Sequence, residues 1–283
     1  MTVAVAAAGG GLERAASVRS LVGAAADRLA TAGCDSPRLD ADLLLADASE
    51  SDRAALYAEP ERPVGEATAG RFRAHVVRRE RREPIAYILG RRAFRRLELA
   101  VDPRVLIPRP ETELLVEVAL AELAPGAHVH DVGTGSGAVA LALKHERPDL
   151  RASASDASGA ALAVARANAG RLGLEVELRH GPNLPDGLAR PDLVVANLPY
   201  VRPDEWAGLM PEIVRYEPRD AFLGGDEDGL GAIRELVTQA PSGTRLALEH
   251  APAQAAAVRA LLSDGRSVAA PGGVELVTIG RAR

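Results

Sequence analysis

Two patterns of apolar and polar positions divide the chain near residue 84. Before that point apolar residues recur at helical spacing, first from Leu21 to Ala30 and then in the segment that Ser36-Pro37 opens. Proline is tolerated in the first turn of a helix, so this segment predicts a second helix. A third is predicted from Glu66 to Arg82. Residues 1–83 are therefore expected to form a helical domain, a candidate for substrate recognition.

The third predicted helix is rich in arginine. Its basic residues are Arg71, Arg73, Arg78, Arg79, Arg81 and Arg82, with Glu80 and Glu83 close by. Such a helix could dock an acidic or RNA-associated partner, but a solvated helix face explains the same charges more simply.

The pattern changes after the helical part. Between residues 84 and 107, apolar residues alternate or nearly alternate at Phe94, Leu97, Leu99 and Val101, which predicts a β-hairpin linker. From Pro108 onward, short apolar runs alternate with helical stretches. The predicted strands are Val129–Val132, Ala152–Ser155, the segment around Val176 and Leu178, Leu193–Ala196, Leu246–Glu249 and Val274–Ile279. This alternation predicts an α/β fold over residues 108–283, with a Rossmann-like, doubly wound sheet that is largely parallel.

Composition narrows the class of protein. The chain has 283 residues, a 47% hydrophobic content, a net charge of −5 and one cysteine, Cys34. No apolar run approaches the ~18–20 residues that cross a membrane, and the acidic balance argues against general nucleic-acid binding. A lone cysteine excludes an internal disulfide and makes a metal cluster improbable. The apolar start, Met1 to Gly11, lacks a basic leader, so we expect a frayed tail and a cytoplasmic protein. Nothing fixes the oligomeric state, and a monomer is the default expectation.

A glycine-rich segment follows the first strand of the sheet. It reads Asp131-Val132-Gly133-Thr134-Gly135-Ser136-Gly137. Glycine permits sharp turns and close approach of a ligand, and the helix that follows offers free N–H groups at its positive end. Asp156 ends the second strand, 19 residues beyond Gly137, where an acid can accept hydrogen bonds from ribose hydroxyls. The pattern favours S-adenosylmethionine over a dinucleotide, because no Gly-x-Gly-x-x-Gly is present.

A second motif, Asn197-Leu198-Pro199-Tyr200, follows the strand Leu193–Ala196. An amide nitrogen is a poor nucleophile because its lone pair is delocalised. The side chain of Asn197 and the main chain at Leu198 could accept both N–H hydrogens of an amide and turn its lone pair toward a methyl donor. Pro199 stiffens the loop, and Tyr200 offers a flat wall. Together the two motifs predict a nitrogen methyltransferase, with Asn197 and Tyr200 as catalytic residues.

Several segments resemble one family, the HemK/PrmC protein-(glutamine-N5) methyltransferases. The resemblance covers nearly the whole chain, and its most specific element is Leu106-Ile107-Pro108-Arg109-Pro110-Glu111-Thr112-Glu113. Other matching segments are Pro37 to Leu44, Pro84 to Gly90, Glu217-Pro218-Arg219, Gly224-Gly225 and Asp228-Gly229-Leu230.

The resemblance implies a class I S-adenosylmethionine-dependent methyltransferase with a small helical N-terminal domain. Its substrate would be the glutamine of the Gly-Gly-Gln motif in class 1 peptide-chain release factors. By the same resemblance, Gly133 to Gly137, Asp156 and Asn197 touch the cofactor, and Asn197 to Tyr200 hold the glutamine. The reaction would need no metal.

Two positions depart from the family pattern. Leu198 stands where the family usually has a first proline, but it retains the backbone carbonyl assigned to that position. Pro182 in Gly181-Pro182-Asn183 replaces an acid near the adenine, so Asn183 becomes the candidate for that contact. These changes leave open a paralogue that methylates another protein or a metabolite. A third interpretation, a non-catalytic adenosylmethionine-binding scaffold, is disfavoured by the intact Asn197, Pro199 and Tyr200.

Overall fold

The structure, a computed structural model, describes residues 16–283. It divides into two compact units, one ending at Leu89 and the other running from Gly90 to Arg283. We call them the helical unit and the sheet unit. The expectation about Met1 to Gly11 lies outside the described residues. No described helix is long and apolar enough to cross a membrane.

Over its described residues, 16–89, the helical unit contains five helices. They are α1 (Val18–Thr31), α2 (Pro37–Ala48), α3 (Arg53–Ala58), α4 (Glu66–Glu80) and α5 (Ile85–Leu89). The three longest helices were predicted, and Pro37 occupies the first turn of α2 as expected. Their apolar faces enclose a core around Leu29, Leu44, Leu45 and Phe72, each almost fully buried. Residues 85–89, which the sequence placed in the linker, form α5.

The arginines of α4 and the turn after it have partners inside the helical unit. Arg71 donates to the Ala48 carbonyl, Arg73 pairs with Glu66, and Arg78 pairs with Glu83. Arg79 is buried against Asp40, and Arg82 donates to the Gly33 carbonyl. The arginine-rich sequence therefore stabilises this unit from within.

The sheet unit begins with a two-stranded hairpin, β1 (Arg91–Phe94) and β2 (Leu97–Ala100). Its helices are α6 (Glu113–Glu122), α7 (Ala138–Glu146), α8 (Gly159–Leu172), α9 (Pro211–Tyr216), α10 (Gly231–Gln239) and α11 (Ala255–Leu261). Its remaining strands are β3 (His128–Val132), β4 (Arg151–Asp156), β5 (Glu177–His180), β6 (Leu193–Ala196), β7 (Arg245–Glu249), β8 (Ser263–Ala269) and β9 (Glu275–Arg281). The hairpin belongs to this unit, because Asn168 of α8 bonds both the N–H and the carbonyl of Ala100.

Seven strands form one sheet in the order β5-β4-β3-β6-β7-β9-β8. The first five in this order run parallel, and β9 is antiparallel to both β7 and β8. The largely parallel, doubly wound sheet predicted from the sequence is confirmed. The chain order reverses at β3, which lies between β4 and β6. In open α/β sheets such a reversal leaves a crevice at the carboxyl ends of the strands, where ligands bind.

Both faces of this sheet are covered by apolar side chains. In β6, Leu193 and Val195 join one buried cluster while Val194 and Ala196 join another. Alternate residues of a strand point to opposite faces, so the continuous apolar run reflects burial on both sides. The register of each central strand is thereby fixed, because a one-residue slip would exchange its two faces.

The edge strand β8 was missed by the sequence analysis. Its residues, Ser263 to Ala269, are largely polar and alternate between exposed and half-buried positions. An edge strand with little apolar content lacks the period-two signal on which strand prediction depends.

The buried ion pair of the helical unit generates a stability prediction. Arg79 Nε lies 2.7 Å from Asp40 Oδ2, and the two side chains are only 7% and 10% exposed. Asp40→Ala leaves the buried guanidinium without this carboxylate, so we expect the free energy of unfolding to fall by about 3 kcal/mol in chemical denaturation. Glu61→Ala breaks the exposed Arg19–Glu61 pair and should cost less than about 1 kcal/mol. Equal losses in the two variants would contradict this account.

Candidate functional site

The register of the parallel strands aligns four strand ends at one edge of the sheet. Val132 of β3 lies opposite Ser155 of β4 and Ala196 of β6, and Ala196 lies opposite Leu248 of β7. The next residue of each strand therefore belongs to the same row. These four residues are Gly133, Asp156, Asn197 and Glu249. The sequence predicted the first three as site residues, and the structure brings all four together.

The glycine loop, residues 133–137, is held in place by main-chain hydrogen bonds to β4. The N–H groups of Gly133 and Thr134 both donate to the Ser155 carbonyl, at 2.9 and 3.0 Å. Gly133 has a φ of +72°, and a β-carbon there would lie 3.0 Å from Leu198 Cδ2. Only glycine suits this backbone and this close approach.

The polar side chain of Thr134 serves the loop itself. Its hydroxyl donates to Asp131 Oδ2 at 2.6 Å, and the same oxygen accepts from the Ala140 N–H. Burial raises the pKa of Asp131 to about 7, and the nearby charge of Asp156 adds to that rise, while these two hydrogen bonds oppose it. Thr134 and Ser136 are both buried. A ligand at the loop would therefore meet mainly its backbone.

Asp156 bridges the glycine loop and the start of α8. Its Oδ2 accepts from the Gly135 N–H and its Oδ1 from the Ser158 N–H, both at 2.8 Å. Each carboxylate oxygen has two lone pairs, so both oxygens retain capacity for a ligand hydroxyl.

Asn197 lies at the junction of three cavities. The largest, of about 510 Å³, is lined by Gly133, Gly135, Asp156, Asn183 and Asn197, among others. A second, of about 50 Å³, is lined by residues of the glycine loop and Thr112, and a third, of about 100 Å³, by Leu198, Tyr200 and Phe222. Asn197 borders all three, and Gly137, which immediately precedes α7, borders none of them. Asn197 thus borders both the large cavity, of about 510 Å³, and the smaller cavity bordered by Tyr200.

The Asn197 side chain is held by a chain of hydrogen bonds. Its Nδ2 donates to Thr112 Oγ1 at 3.0 Å, and Thr112 Oγ1 donates to Glu249 Oε1 at 3.2 Å. Glu249 Oε2 is buried with no partner within the described residues. Burial, with a smaller contribution from the charge of Glu111, raises the pKa of Glu249 to about 7, although the hydrogen bond from Thr112 opposes this rise.

Leu198 and Tyr200 complete the loop. The Leu198 side chain is buried in the cluster that contains Val132 and Leu230, so this residue packs in the core and also offers its carbonyl. Burial, together with the charges of Glu249 and Glu111, raises the pKa of Tyr200 to about 12. Its hydroxyl therefore stays protonated at neutral pH, which suits a wall or a hydrogen-bond donor rather than a base.

The segment that carries Thr112 is fastened by Glu217. This buried carboxylate accepts from the Ile107 N–H at 3.0 Å and forms an ion pair with Arg109. The guanidinium of Arg109 also lies 6.0 Å from the ring centre of Phe222. These contacts join two distant sequence segments, around Ile107 and Glu217, next to the turn that carries Thr112.

Asn183 is among the residues that line the large cavity. Its Nδ2 donates to Glu235 Oε1 and Gln239 Oε1 of α10, both at 3.1 Å. Its carbonyl accepts from the Ser155 hydroxyl at 2.7 Å. Glu235 lines the same cavity and supplies a carboxylate on the side where Pro182 has none.

Sequence reasoning missed Thr112 and Glu249. A signal for Glu249 was available, because it ends an apolar strand in the same way as Asp156 does. Thr112 lies within the most specific segment of the family resemblance, Leu106 to Glu113, but its role was not visible there, since it lies in a 3₁₀ turn, Pro110–Thr112, whose approach to β7 depends on the tertiary fold.

The fold and site define a class of protein, and comparisons with known proteins agree. Residues 110–216 match the methyltransferase small domain, and residues 20–90 match the PrmC N-terminal domain. Among solved structures, the hMettl16 catalytic domain is similar with a TM-score of 0.52 at 12% identity, covering 65% of this chain and 75% of that one. At this identity the likeness shows the fold alone. The sheet unit is a methyltransferase domain.

The sequence relatives define the family more closely. The chain is 46% identical over 262 residues to a release factor glutamine methyltransferase of Pseudomonas aeruginosa, covering 87% of this chain and 94% of that protein. It is 43% identical over 258 residues to one of Xylella fastidiosa, covering 86% and 93%. The chain belongs to the release factor glutamine methyltransferase family, as its sequence motifs predicted.

The buried carboxyl of Glu249 generates a prediction of pH dependence. Its pKa rises from 4.5 to about 7 on folding, so the folded state binds its proton more tightly than the unfolded state. The free energy of unfolding should therefore fall as pH rises between these values, by up to about 1.4 kcal/mol per pH unit from this group. Denaturation at several pH values should give a flatter profile for Glu249→Gln. Glu175→Gln, at an exposed position, should keep the wild-type slope; if Glu249→Gln keeps it too, the assignment fails.

Proposed function

We propose that this protein transfers a methyl group from S-adenosylmethionine to the side-chain amide nitrogen of a glutamine. The substrate is the Gly-Gly-Gln motif of class 1 peptide-chain release factors. The position of Asn197, between the large cavity and the smaller one bordered by Tyr200, is the observation that carries the proposal. Relatives named release factor glutamine methyltransferases, with 38–46% identity, support the substrate.

The large cavity fits an adenosyl cofactor. Its volume of about 510 Å³ lies within the ~300–1,000 Å³ typical of small-molecule sites. Gly133 and Gly135 allow close approach, and Asp156 offers carboxylate oxygens to ribose hydroxyls. Asn183 borders the same cavity, as do the carboxylate of Glu235 and Pro182. S-adenosylmethionine, when bound, supplies an electrophilic methyl group on a sulfonium.

The loop after β6 prepares the nitrogen. Because Asn197 Nδ2 is engaged by Thr112, its Oδ1 is left to accept an N–H from the substrate amide. The Leu198 carbonyl accepts the second N–H. With both hydrogens held, the nitrogen lone pair turns out of the amide plane and toward the large cavity. Pro199 restricts the loop, and Tyr200 forms the wall beside the planar amide.

The chemical step is a displacement in line. A bond forms between the substrate nitrogen and the methyl carbon while the bond from that carbon to sulfur breaks, and its electron pair stays on sulfur. The alkylated nitrogen is strongly acidic and gives up one proton to water. Since Tyr200 stays protonated, no side-chain base is assigned. Orientation and hydrogen bonding supply the rate enhancement.

The first functional prediction concerns cofactor binding. Asp156→Ala removes charge-assisted hydrogen bonds worth about 1.5–3 kcal/mol, so calorimetry should show affinity for S-adenosylmethionine reduced by about 10–100-fold. Asp149→Ala is the matched control, because Asp149 also accepts a glycine N–H, that of Gly126 at 2.8 Å, but precedes the opposite end of β4. Equal affinities in the Asp156 and Asp149 variants would remove Asp156 from the site.

The second concerns the substrate. Mass spectrometry should show a 14-dalton gain, the mass that replacing a hydrogen by a methyl group adds, on the Gly-Gly-Gln glutamine of an intact class 1 release factor. A Gly-Gly-Gln peptide should react far more slowly, because a protein interface of about 1,600 Å² exceeds what a short peptide can fill. Asn197→Ala, the control for the active loop, should lower turnover by about 10²–10³. Transfer to some other amide, with none to the release factor, would reject this substrate.

A further inference from the structure

The orientation of the Asn197 amide is decisive for the proposed function, on which this inference rests. An asparagine side chain has one accepting end and one donating end of nearly the same shape. With Oδ1 toward the substrate, the side chain accepts an N–H from the target amide. With Nδ2 toward the substrate, it would present hydrogens to hydrogens and repel the same group. Something must therefore distinguish the two orientations.

The hydrogen-bond chain behind Asn197 makes that distinction. When Glu249 is ionised, its carboxylate can only accept, so the single hydroxyl hydrogen of Thr112 points to Glu249 Oε1. Thr112 Oγ1 then faces Asn197 with lone pairs and can only accept. Nδ2 is the one end of the Asn197 amide that can meet it. The direction of hydrogen bonding is thus set by Glu249 at the end of β7 and passed, through Thr112 in the 3₁₀ turn, to Asn197 in the loop after β6.

We infer that Thr112 and Glu249 are positioning residues for the methyl transfer. They hold Asn197 Oδ1 toward the substrate nitrogen without touching the substrate themselves. Both side chains are buried, Thr112 at 5% and Glu249 at 2% exposure. Burial of a charged group is costly, and Glu249 keeps one oxygen unpaired within the described residues. A residue selected for stability alone would not take this form.

The arrangement makes the orientation sensitive to pH. When Glu249 is protonated, its own O–H can donate to Thr112, which frees the Thr112 hydrogen for Asn197 Oδ1 and permits the reversed amide. Glu111 in the 3₁₀ turn and Tyr200 after β6 are the groups whose charge or titration is coupled to Glu249. His250, the next residue, bonds Thr278 and the Ala251 carbonyl, and β9 places Val277 opposite Glu249.

The test compares Thr112→Val, Thr112→Ser and Glu249→Gln in the full chain, with saturating release factor and over a range of S-adenosylmethionine concentrations that reaches saturation. Thr112→Val should lower kcat by about 10–100-fold, the range found when residues supporting a metal-ligating side chain are removed, with the cofactor KM unchanged. Thr112→Ser keeps the hydroxyl and should restore most of the rate. Glu249→Gln should lower kcat and remove the loss of rate that the wild type is expected to show as pH falls below about 7.

A matched control separates positioning from stability. Thr278 is also fully buried, and its hydroxyl also has two side-chain partners, His250 Nε2 and Ser267 Oγ, both at 2.8 Å. Thr278→Val should therefore destabilise the protein about as much as Thr112→Val while leaving kcat near the wild-type value. Combining Thr112→Val with Asn197→Ala should cost no more than Asn197→Ala alone, because residues acting through one group are not additive.

A spectroscopic readout does not depend on activity. The side-chain NH₂ resonances of Asn197, identified by their loss in Asn197→Ala, should shift through about pH 7 in the wild type and not in Glu249→Gln. Those of Asn168, which donate to the Ala100 and Ser136 carbonyls, should not follow this titration.

The outcomes are distinguishable. If the wild type methylates the release factor and Thr112→Val and Glu249→Gln retain full kcat, the positioning role is overturned. If Thr278→Val slows transfer as much as Thr112→Val, the effect is one of stability and the inference also fails. If the wild type methylates no release factor, the proposed function fails, and the Asn197 resonances still decide whether the chain orients the amide.

Discussion

The hydrogen-bonded register of the four central parallel strands is the constraint on which the site depends. Their carboxyl ends meet at one edge, and each strand ends so that its next residue enters the same row. Gly133, Asp156, Asn197 and Glu249 come from four separate stretches of sequence, and the sheet alone makes them neighbours. The apolar clusters on both faces hold this register in place. A slip of one residue in β6 would bury the wrong face and turn Asn197 away from the cavities.

The same edge carries an electrostatic cost that the core must offset. Asp131 and Glu249 are both buried, and both have a pKa raised to about 7 by that burial. Each is used to fix the polarity of a hydroxyl, since Thr134 donates to Asp131 and Thr112 donates to Glu249. The first hydroxyl braces the glycine loop, and the second leads to the loop after β6. Burying these two carboxyl groups lowers the stability of the fold, but it defines the direction of hydrogen bonding at both loops.

The sequence predicts those features of the fold and the site that arise from local patterns, and it misses those that arise from contacts between distant residues. The strand and helix alternation, the glycine loop, Asp156 and the loop from Asn197 to Tyr200 are local patterns. The fold they predicted is confirmed, and so is the family that the resemblance indicated. Strand β8 escaped because a polar edge strand has no apolar alternation. Thr112 escaped because its importance arises from contacts 85 and 137 residues away along the chain. The arginines of α4 gave an ambiguous pattern, and only the packed helical unit reveals their partners.

The departure at Leu198 illustrates how a local change can preserve a function by different physics. A proline at this position would stiffen the loop through its ring, which leucine lacks. Leucine instead inserts its side chain into the core beside Val132 and against the backbone of Gly133, with Cδ2 at 3.0 Å from where a β-carbon there would lie. The loop after β6 and the glycine loop are therefore joined by direct packing. A proline would restrict only the loop after β6. The packing of Leu198 against Gly133 instead restricts both loops, so the Leu198 carbonyl and the backbone of the glycine loop keep a fixed position relative to each other.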